Sequence, residues 1–176
     1  ENISTLKKYK FQKILTACPH CFNTLKNEYP QFGGEFDVVH LGTFLKDAVN
    51  SGKLNLREKL SFKTIIHDSC YLGRYNGIYS PQREVISKVC QQGPMEFDLS
   101  RENSFCCGAG GGRMWMEEKL GKRINQLRLE QALKKKPDVV ATTCPYCLTM
   151  FEDAVKEMEV QGIRVMDIAE MLDRVT

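Results

Sequence analysis

The sequence predicts an α/β fold in which a mostly parallel sheet is flanked by helices. Two observations predict this class. Short runs rich in β-branched residues alternate with segments of helical periodicity along the chain, and one strand–helix–strand–helix block occurs twice. With 176 residues, 42% of them apolar, the chain can bury a core without disulfide staples. The eight cysteines are therefore expected to have another role.

Six strands are predicted from short apolar runs that end at polar or turn-forming residues. In chain order they are Lys13–Ala17, Asp37–His40, Lys63–His67, Met95–Leu99, Asp138–Thr142 and Ile163–Met166. Because a helical segment separates most neighbouring strands, the sheet is expected to be largely parallel.

Six helices are predicted between and after these strands. They are Phe22–Glu28, Gly42–Asn50, Pro81–Cys90, Met114–Lys136, Leu148–Glu157 and Ile168–Arg174. In the longest one, Leu120, Ile124 and Leu127 recur at the spacing of one helix face, and Pro137 ends the pattern.

An internal repeat organises the chain. The motif Cys18-Pro19-His20-Cys21 follows one strand, and Cys144-Pro145-Tyr146-Cys147 follows another; each is then followed by a helix, a strand and a second helix. The spacings nearly agree, since 22 positions separate Cys18 from His40 and 23 separate Cys144 from Asp167. Such self-similarity indicates tandem related modules.

The repeat predicts two units. Residues 1–52 correspond to the C-terminal part of a first module, which is incomplete, and residues 60–176 form a complete second module. The chain begins with Glu1 and not Met, so we expect it to be a portion of a longer two-module protein.

Charge and hydropathy exclude several classes of function. The 25 basic and 22 acidic residues nearly balance, so the chain has no electrostatic footprint for nucleic acid. No stretch approaches the ~20 apolar residues that a membrane-spanning helix needs, and residues Glu1 to Lys13 contain no apolar run typical of a signal peptide. A cytoplasmic protein is expected, with peripheral attachment to a membrane left open through a partner or a further segment.

Five cysteines form a pattern of spacing in the second unit. Cys70, the adjacent pair Cys106 and Cys107, and the pair Cys144 and Cys147 are written C-x35-C-C-x36-C-x2-C. Each is expected in a loop that follows a strand and opens a helix. Such loops meet at the carboxyl edge of a parallel sheet, so the five thiols should lie close together.

Soft thiolate ligands select zinc, copper(I) or iron–sulfur clusters. A structural zinc ion takes four ligands, so a fifth cysteine favours more than one metal atom, and a multi-iron cluster accommodates the count best. A vicinal disulfide is strained, so Cys106 and Cys107 are expected to point at separate metal atoms. Two alternatives stay open: a structural zinc domain that acts as an interaction platform, and a metal-free CxxC thiol–disulfide oxidoreductase.

The glycine run after the vicinal pair strengthens the metal interpretation. Gly108, Gly110 and Gly111 are expected near the cofactor, because residues without a Cβ let backbone amides approach sulfur. Arg74 and Arg113 are expected to offset the negative charge of the thiolates.

Several other residues have a simpler interpretation. Cys90 lies among apolar residues of a predicted helix and is expected to be a buried, inert thiol. For His40 and His67, which end strands, a hydrogen-bonding or core role is favoured over metal ligation. His20 is expected to tune the thiolates of its own CxxC motif. Trp115 is expected either to shield the cofactor or simply to pack.

These motifs together resemble a known family. The run from Asn103 to Trp115, with Cys70 upstream and Cys144-Pro145-Tyr146-Cys147 downstream, is similar to the cysteine-rich CCG domain of heterodisulfide reductase B and D subunits. The domain also occurs in iron–sulfur oxidoreductases that take electrons from electron-transfer flavoprotein, and the region around Cys18 and His40 most resembles these. The resemblance covers residues 60–176 as a full module and 1–52 as the end of another.

The resemblance implies an iron–sulfur electron-transfer module of an oxidoreductase complex. It implies a non-cubane [4Fe–4S] cluster held by Cys70, Cys106, Cys107, Cys144 and Cys147. It also implies a disulfide or quinone acceptor and a flavoprotein, ferredoxin-type or membrane cytochrome partner. Zinc is the alternative metal, and the isolated chain is not expected to be active as an enzyme.

The first module departs from the family pattern. Cys18 and Cys21 are candidate metal ligands, but without an upstream cysteine and vicinal pair they cannot complete a cluster alone.

Overall fold

Six short strands form two parallel sheets in the computed structural model, which describes residues 1–118 and 120–176. Strands β1 (Ile14–Thr16) and β2 (Val38–His40) form the first sheet. The second sheet contains β3 (Thr64–Ile66), β4 (Met95–Glu96), β5 (Val139–Thr142) and β6 (Arg164–Asp167) in the order β4-β3-β5-β6. The predicted α/β class with parallel sheets is confirmed.

In residues 1–118 and 120–176, seven α-helices accompany these strands. They are α1 (Asn2–Leu6), α2 (Pro19–Asn23), α3 (Leu41–Asn50), α4 (Ser80–Val89), α5 (Ile124–Leu133), α6 (Pro145–Glu157) and α7 (Ile168–Asp173). A π-helical turn (Thr24–Glu28) and 3-10 turns (Tyr29–Phe32, Arg101–Asn103 and Gly110–Trp115) complete the connections. No described helix has the length and apolar character that crossing a bilayer requires.

Both faces of the second sheet are buried, because successive side chains of a strand point to opposite faces. On one face Ile66 and Ala141 pack against α4 and α7, and Leu45 of α3 joins the same core. On the other face Ile65 and Val140 pack against α5 and α6. Residues 1–52 thus share a hydrophobic core with residues 60–176.

The longest predicted helix, Met114–Lys136, is wrong over its first half. The chain forms the 3-10 turn ending at Trp115 and enters α5 only at Ile124. Glycine is the physical reason, since Gly121 has a positive φ angle of 68°, which a regular α-helix does not accept. Lys119, within the predicted helix, lies outside the described residues.

The apolar residues whose spacing predicts this helix do not form its buried side. Leu120 is 92% exposed, while the buried side of α5 carries Asn125, Arg128, Leu129 and Ala132. A polar pair therefore occupies half of the buried stripe. Apolar spacing alone therefore does not identify the buried side of α5.

Smaller differences concern where elements begin and end. Strand β4 ends at Glu96 and not Leu99. Helices α2 and α6 begin at Pro19 and Pro145, three residues before the predicted starts, because proline fits the first helical position, where its missing N–H is not needed. Helix α1 was not predicted.

Candidate metal centre

The five cysteines of the second unit meet beyond the carboxyl ends of β3 and β5. Cys70 follows β3 by four residues, and Cys144 follows β5 by two and caps α6. Cys106 and Cys107 lie in the loop after β4. This loop leads into a 3-10 turn, where the sequence predicts an α-helix. The structure therefore brings together the five thiols that the spacing singled out.

The five thiols form a continuous string of contacts. The Sγ atoms of Cys107 and Cys147 are 3.4 Å apart. The Cys106 sulfur interacts directly with the thiols of Cys107 and Cys70, and Cys147 does the same with Cys144. The order along the string is Cys70, Cys106, Cys107, Cys147 and Cys144, and all five are free thiols.

Negative charge concentrates on the Cys106 sulfur. Hydrogen bonds from the thiols of Cys107 and Cys70 lower its pKa, and the Gly108 amide also donates to it at 3.3 Å. The same interactions raise the pKa of Cys70 and raise that of Cys107 to about 12, so these neighbours keep their protons. Metal binding would replace those protons, because thiolate is the form that ligates.

The two cysteines at the start of α6 also have pKa values shifted in opposite directions. A hydrogen bond from the Cys147 thiol lowers the pKa of Cys144 to about 7. The contacts with Cys107 and Cys144 raise the pKa of Cys147. Both thiols are buried, as is Cys107, whereas Cys70 and Cys106 are partly exposed.

His67 joins this group. One ring nitrogen of His67 and the sulfurs of Cys107 and Cys147 all lie within 4.8 Å of one another. Burial and the nearby Arg128 guanidinium lower the pKa of His67 to about 3, so the ring is neutral. Its Nδ1 accepts a hydrogen bond from Arg128 Nε at 3.4 Å. The hydrogen-bonding role favoured for His67 from the sequence is present, but at the edge of the sulfur site.

Arg128 is the site residue that sequence reasoning missed. Its side chain is fully buried, and its guanidinium carbon lies 3.5 Å from the centre of the Phe97 ring. Besides His67, its hydrogen-bond acceptors are Gln131 Oε1 at 2.7 Å, the Leu99 carbonyl at 3.1 Å and Ser104 Oγ at 3.2 Å. In the sequence, its position directly before the apolar Leu129 is the only indication that Arg128 could be buried.

The two arginines that were expected to offset the thiolate charge lie further out. Arg74 donates to the Ser104 carbonyl at 3.2 Å, and its charge opposes the rise in the pKa of Cys70. Arg113 pairs with Glu118 at the surface. Both line an open cleft of about 500 Å³ beside Cys106.

A buried ion-pair network holds the loop that carries Cys70. Arg83 of α4 binds Asp68 with two hydrogen bonds of 2.7 and 2.9 Å and binds Glu96 with two of 2.7 Å. Although burial opposes it, hydrogen bonds from Arg83 and the Arg101 amide lower the pKa of Asp68. The network joins the ends of β3 and β4 to α4 and so fixes the start of the cysteine loop.

The glycine run has one close contact with the site. Gly108 has a φ of 91°, and a Cβ there would lie 3.0 Å from Ile124 Cβ. Only glycine fits this position without strain, and its amide reaches the Cys106 sulfur. Gly110 lines the cleft beside Cys106, and Gly111 lines a second cleft beside Trp115, which is 81% exposed and shields nothing buried.

The first CxxC motif lies next to the second unit. Cys18 is partly buried and Cys21 is exposed. Between them His20 packs on Tyr71 and Tyr146, with ring centroids 4.1 and 5.1 Å apart. Burial lowers the pKa of His20, so a neutral ring links the two CxxC motifs.

The donor set fits an iron–sulfur group. Five soft thiols in mutual contact exceed the four ligands of a structural zinc ion and suit a group with several metal atoms. In the described part of the chain, the buried hydroxyls of Thr142 and Thr143, directly before Cys144, have no hydrogen-bond partner. Unpaired buried donors are costly, and inorganic sulfide would be an acceptor for them.

Cys90 lies apart from this site. It is fully buried, and its sulfur is 3.6 Å from Thr64 Oγ1. The buried thiol that the sequence predicts at this position is therefore present.

Comparison with known proteins identifies similar sequences. A family model described as the cysteine-rich domain, CCG, matches residues 1–26 and 64–152. The probable iron-sulfur-binding oxidoreductase FadF of Bacillus subtilis is 46% identical over 173 residues, which cover 98% of this chain and 24% of FadF. The EtfAB:quinone oxidoreductase of Syntrophomonas wolfei is 43% identical over 180 residues, which cover 98% of this chain and 25% of that protein.

A more distant relative is a subunit of the dihydromethanophenazine:CoB--CoM heterodisulfide reductase of Methanosarcina barkeri. It is 31% identical over 174 residues, which cover 97% of this chain and 42% of the relative. The chain therefore spans about a quarter of the length of the first two relatives and less than half of the third.

Proposed function

The chain belongs to the CCG cysteine-rich domain family, and from that premise we propose that it is an iron–sulfur electron-transfer module of an oxidoreductase. One observation carries the proposal: five thiols from three loops form one string of contacts at one edge of the sheet. The names of the relatives support it, since they include an iron-sulfur-binding oxidoreductase and a quinone oxidoreductase.

In this proposal the ligands are Cys70, Cys106, Cys107, Cys144 and Cys147, and the group is a non-cubane [4Fe–4S] cluster. When bound, such a cluster accepts and donates single electrons. The chain's own residues provide the sulfur ligands, a dry floor and amide or hydroxyl donors. Gly108 donates to the Cys106 sulfur, and the buried faces of Cys144 and Cys147 exclude water.

The partners proposed are other redox subunits or domains. The similarity to the EtfAB:quinone oxidoreductase supports a flavoprotein donor and a quinone acceptor, and the similarity to heterodisulfide reductase supports a disulfide acceptor. A ferredoxin-type or membrane cytochrome partner belongs to the same proposal. We place the module in the cytoplasm, with any membrane contact made through a partner.

The two-unit organisation is also proposed. Residues 1–52 would be the end of a first CCG module, and residues 60–176 a complete second module. The matching order β1-α2-β2-α3 and β5-α6-β6-α7, each with a CxxC motif at its first helix, supports this division. Cys18 and Cys21 would then hold metal only together with ligands from outside residues 1–52.

A zinc site is the second candidate, because one ligand atom from each of His67, Cys107 and Cys147 lies within 4.8 Å of the other two. Two features oppose it. The Nδ1 atom of His67 already accepts from Arg128, and a buried guanidinium beside the site repels a second cation. A metal-free oxidoreductase fits less well, since attack on a disulfide needs an accessible thiolate and both thiols of the second CxxC are buried.

Metal analysis and low-temperature EPR of the anaerobically purified chain test the proposal. We expect about four iron and four sulfide per chain, a brown colour and a paramagnetic signal in one oxidation state. A colourless chain with one zinc and neither iron nor sulfide would overturn the proposal in favour of the zinc site.

A further inference from the structure

We infer that Arg128 is a positioning residue that keeps a positive charge beneath the five cysteines and thereby favours the more reduced state of the group they hold. It also excludes His67 from metal ligation. This inference rests on the proposed iron–sulfur function. It assigns a role to a residue that neither the cysteine pattern nor the glycine run identifies.

The first support is the burial of a full charge without a neighbouring carboxylate partner. Arg128 is completely buried, and its four hydrogen-bond acceptors, in the part of the chain that the structure describes, are neutral. A buried guanidinium normally pairs with a carboxylate, because an uncompensated charge is costly in a low-dielectric interior. The nearest carboxyl that interacts with it, Asp68, is already bound by Arg83.

The second support is what surrounds Arg128 instead. Although burial lowers its pKa to about 10, it stays protonated at neutral pH; Asp68 favours its charge most, followed by Cys106, Cys107 and Cys147. Because Asp68 is bound by Arg83, the sulfur site supplies the remaining counter-charge, through Cys106 in the metal-free chain and through the other thiols once metal replaces their protons. By the same attraction, a fixed cation stabilises whichever state of the bound group carries more negative charge.

The third support is the contact with His67. A neutral imidazole that accepts through Nδ1 carries its proton on Nε2, so neither nitrogen has a free lone pair for a metal. Arg128 therefore holds the His67 ring with its Nε2–H as a hydrogen-bond donor. The ring does not act as a metal ligand, although it lies close enough to Cys107 and Cys147 to share a metal ion with them. The ring is further fixed edge-on against Phe151, with centroids 5.0 Å apart.

Gln131→Glu is the sharpest test, because it is isosteric and keeps the 2.7 Å contact with Arg128 while adding a carboxylate that neutralises it. The matched control is Gln161→Glu, an exposed site in the turn before β6 at the opposite end of the sheet. The measurement is the ratio of reduced to oxidised cluster at a fixed applied potential, followed by EPR in the iron-loaded chain.

We expect Gln131→Glu to lower this ratio at least tenfold, which is about 59 mV towards more negative potential for a one-electron couple. Gln161→Glu should change it less than twofold. Arg128→Met should act in the same direction as Gln131→Glu, and His67→Gln should retain its iron. If the Met variant does not fold, the isosteric variant still decides.

An unchanged ratio in Gln131→Glu at full iron content would overturn the inference and leave the proposed function intact. Loss of iron in His67→Gln, with folding retained, would overturn the claim that His67 is not a ligand. A wild-type chain that binds no iron would overturn both the proposed function and this inference.

Discussion

At the residue scale, Cys106 is the sulfur on which negative charge concentrates, and Gly108 sets the backbone that follows it. The Gly108 amide donates to Cys106 Sγ at 3.3 Å, and its positive φ turns the chain immediately after the vicinal pair. The geometry of the vicinal pair therefore depends on Gly108, where any side chain would be both strained and crowded.

We expect Gly108→Ala to lower the free energy of unfolding by about 2–3 kcal/mol, since it combines left-handed backbone strain with a 3.0 Å contact to Ile124. Gly111→Ala is the control: its φ is 65°, but nothing lies within 4 Å of the added Cβ, so the cost should be about 1 kcal/mol. Urea denaturation of both variants measures the difference. Equal losses would show that the close contact at Gly108 is relieved by movement of Ile124.

Residue-scale prediction from the sequence succeeded for the position of the cysteines and failed for Arg128. Cysteine spacing is informative because loops that follow parallel strands meet at one sheet edge. An arginine is ordinarily a surface residue, and the groups that favour its buried charge on α5 come from distant parts of the chain: Asp68 after β3, the vicinal pair and Cys147 of α6. No local pattern contains that information.

At the element scale, the two halves of the repeat use the same local devices. In both, a cysteine directly precedes a helix that begins with proline, and a residue at the end of the next strand caps the following helix with its side chain. His40 Nδ1 accepts from the Gly42 amide at 3.1 Å, and Asp167 Oδ1 accepts from the Ala169 amide at 2.9 Å. The similar spacings from Cys18 to His40 and from Cys144 to Asp167 therefore arise because His40 and Asp167 cap equivalent helices, α3 and α7.

The Asp167 cap predicts a pH dependence of stability. Burial raises the pKa of this carboxyl to about 6, above the value of about 3.9 for an unfolded aspartate. The folded chain therefore holds the proton more tightly, and this contribution to stability is present below about pH 4 and lost as the pH rises to 6.

We expect Asp167→Asn, which keeps a capping side chain, to gain stability relative to the wild type on going from pH 4 to pH 7. Urea denaturation at the two pH values gives the difference, and Asp173→Asn at an exposed site in α7 is the control. A constant difference between Asp167→Asn and the wild type would contradict the raised pKa.

The failed helix Met114–Lys136 shows the limit of periodicity. Its apolar positions continue past Gly121, whose positive φ interrupts the helix, and hydrophobic spacing does not detect this. The apolar pattern places the starts of α2 and α6 three residues too late, because proline at the first turn begins each helix within the cysteine motif.

At the scale of the whole molecule, residues 1–52 and 60–176 are joined by a common core. Leu45 of α3 packs with Ile86 of α4 and Met171 of α7, so the α3 helix covers apolar surface of the second unit. The two proposed modules are therefore expected to unfold together and not independently.

Leu45→Ala should lower the free energy of unfolding by about 2–4 kcal/mol and keep a single transition. The adjacent Phe44 is 46% exposed, and Phe44→Ala should cost less than about 1 kcal/mol. Thermal unfolding followed by circular dichroism and by calorimetry measures both. Two separate transitions, with Leu45→Ala affecting only one, would contradict a shared core.

The iron content of a cysteine series tests the central claim, that five thiols hold one group, most directly. Each of Cys70→Ser, Cys106→Ser, Cys107→Ser, Cys144→Ser and Cys147→Ser, purified without oxygen, should lose most of its iron and sulfide. Cys90→Ala removes a buried thiol outside the site and should keep the full amount. Full iron in any folded variant of the five would contradict the account, as would equal loss in Cys90→Ala.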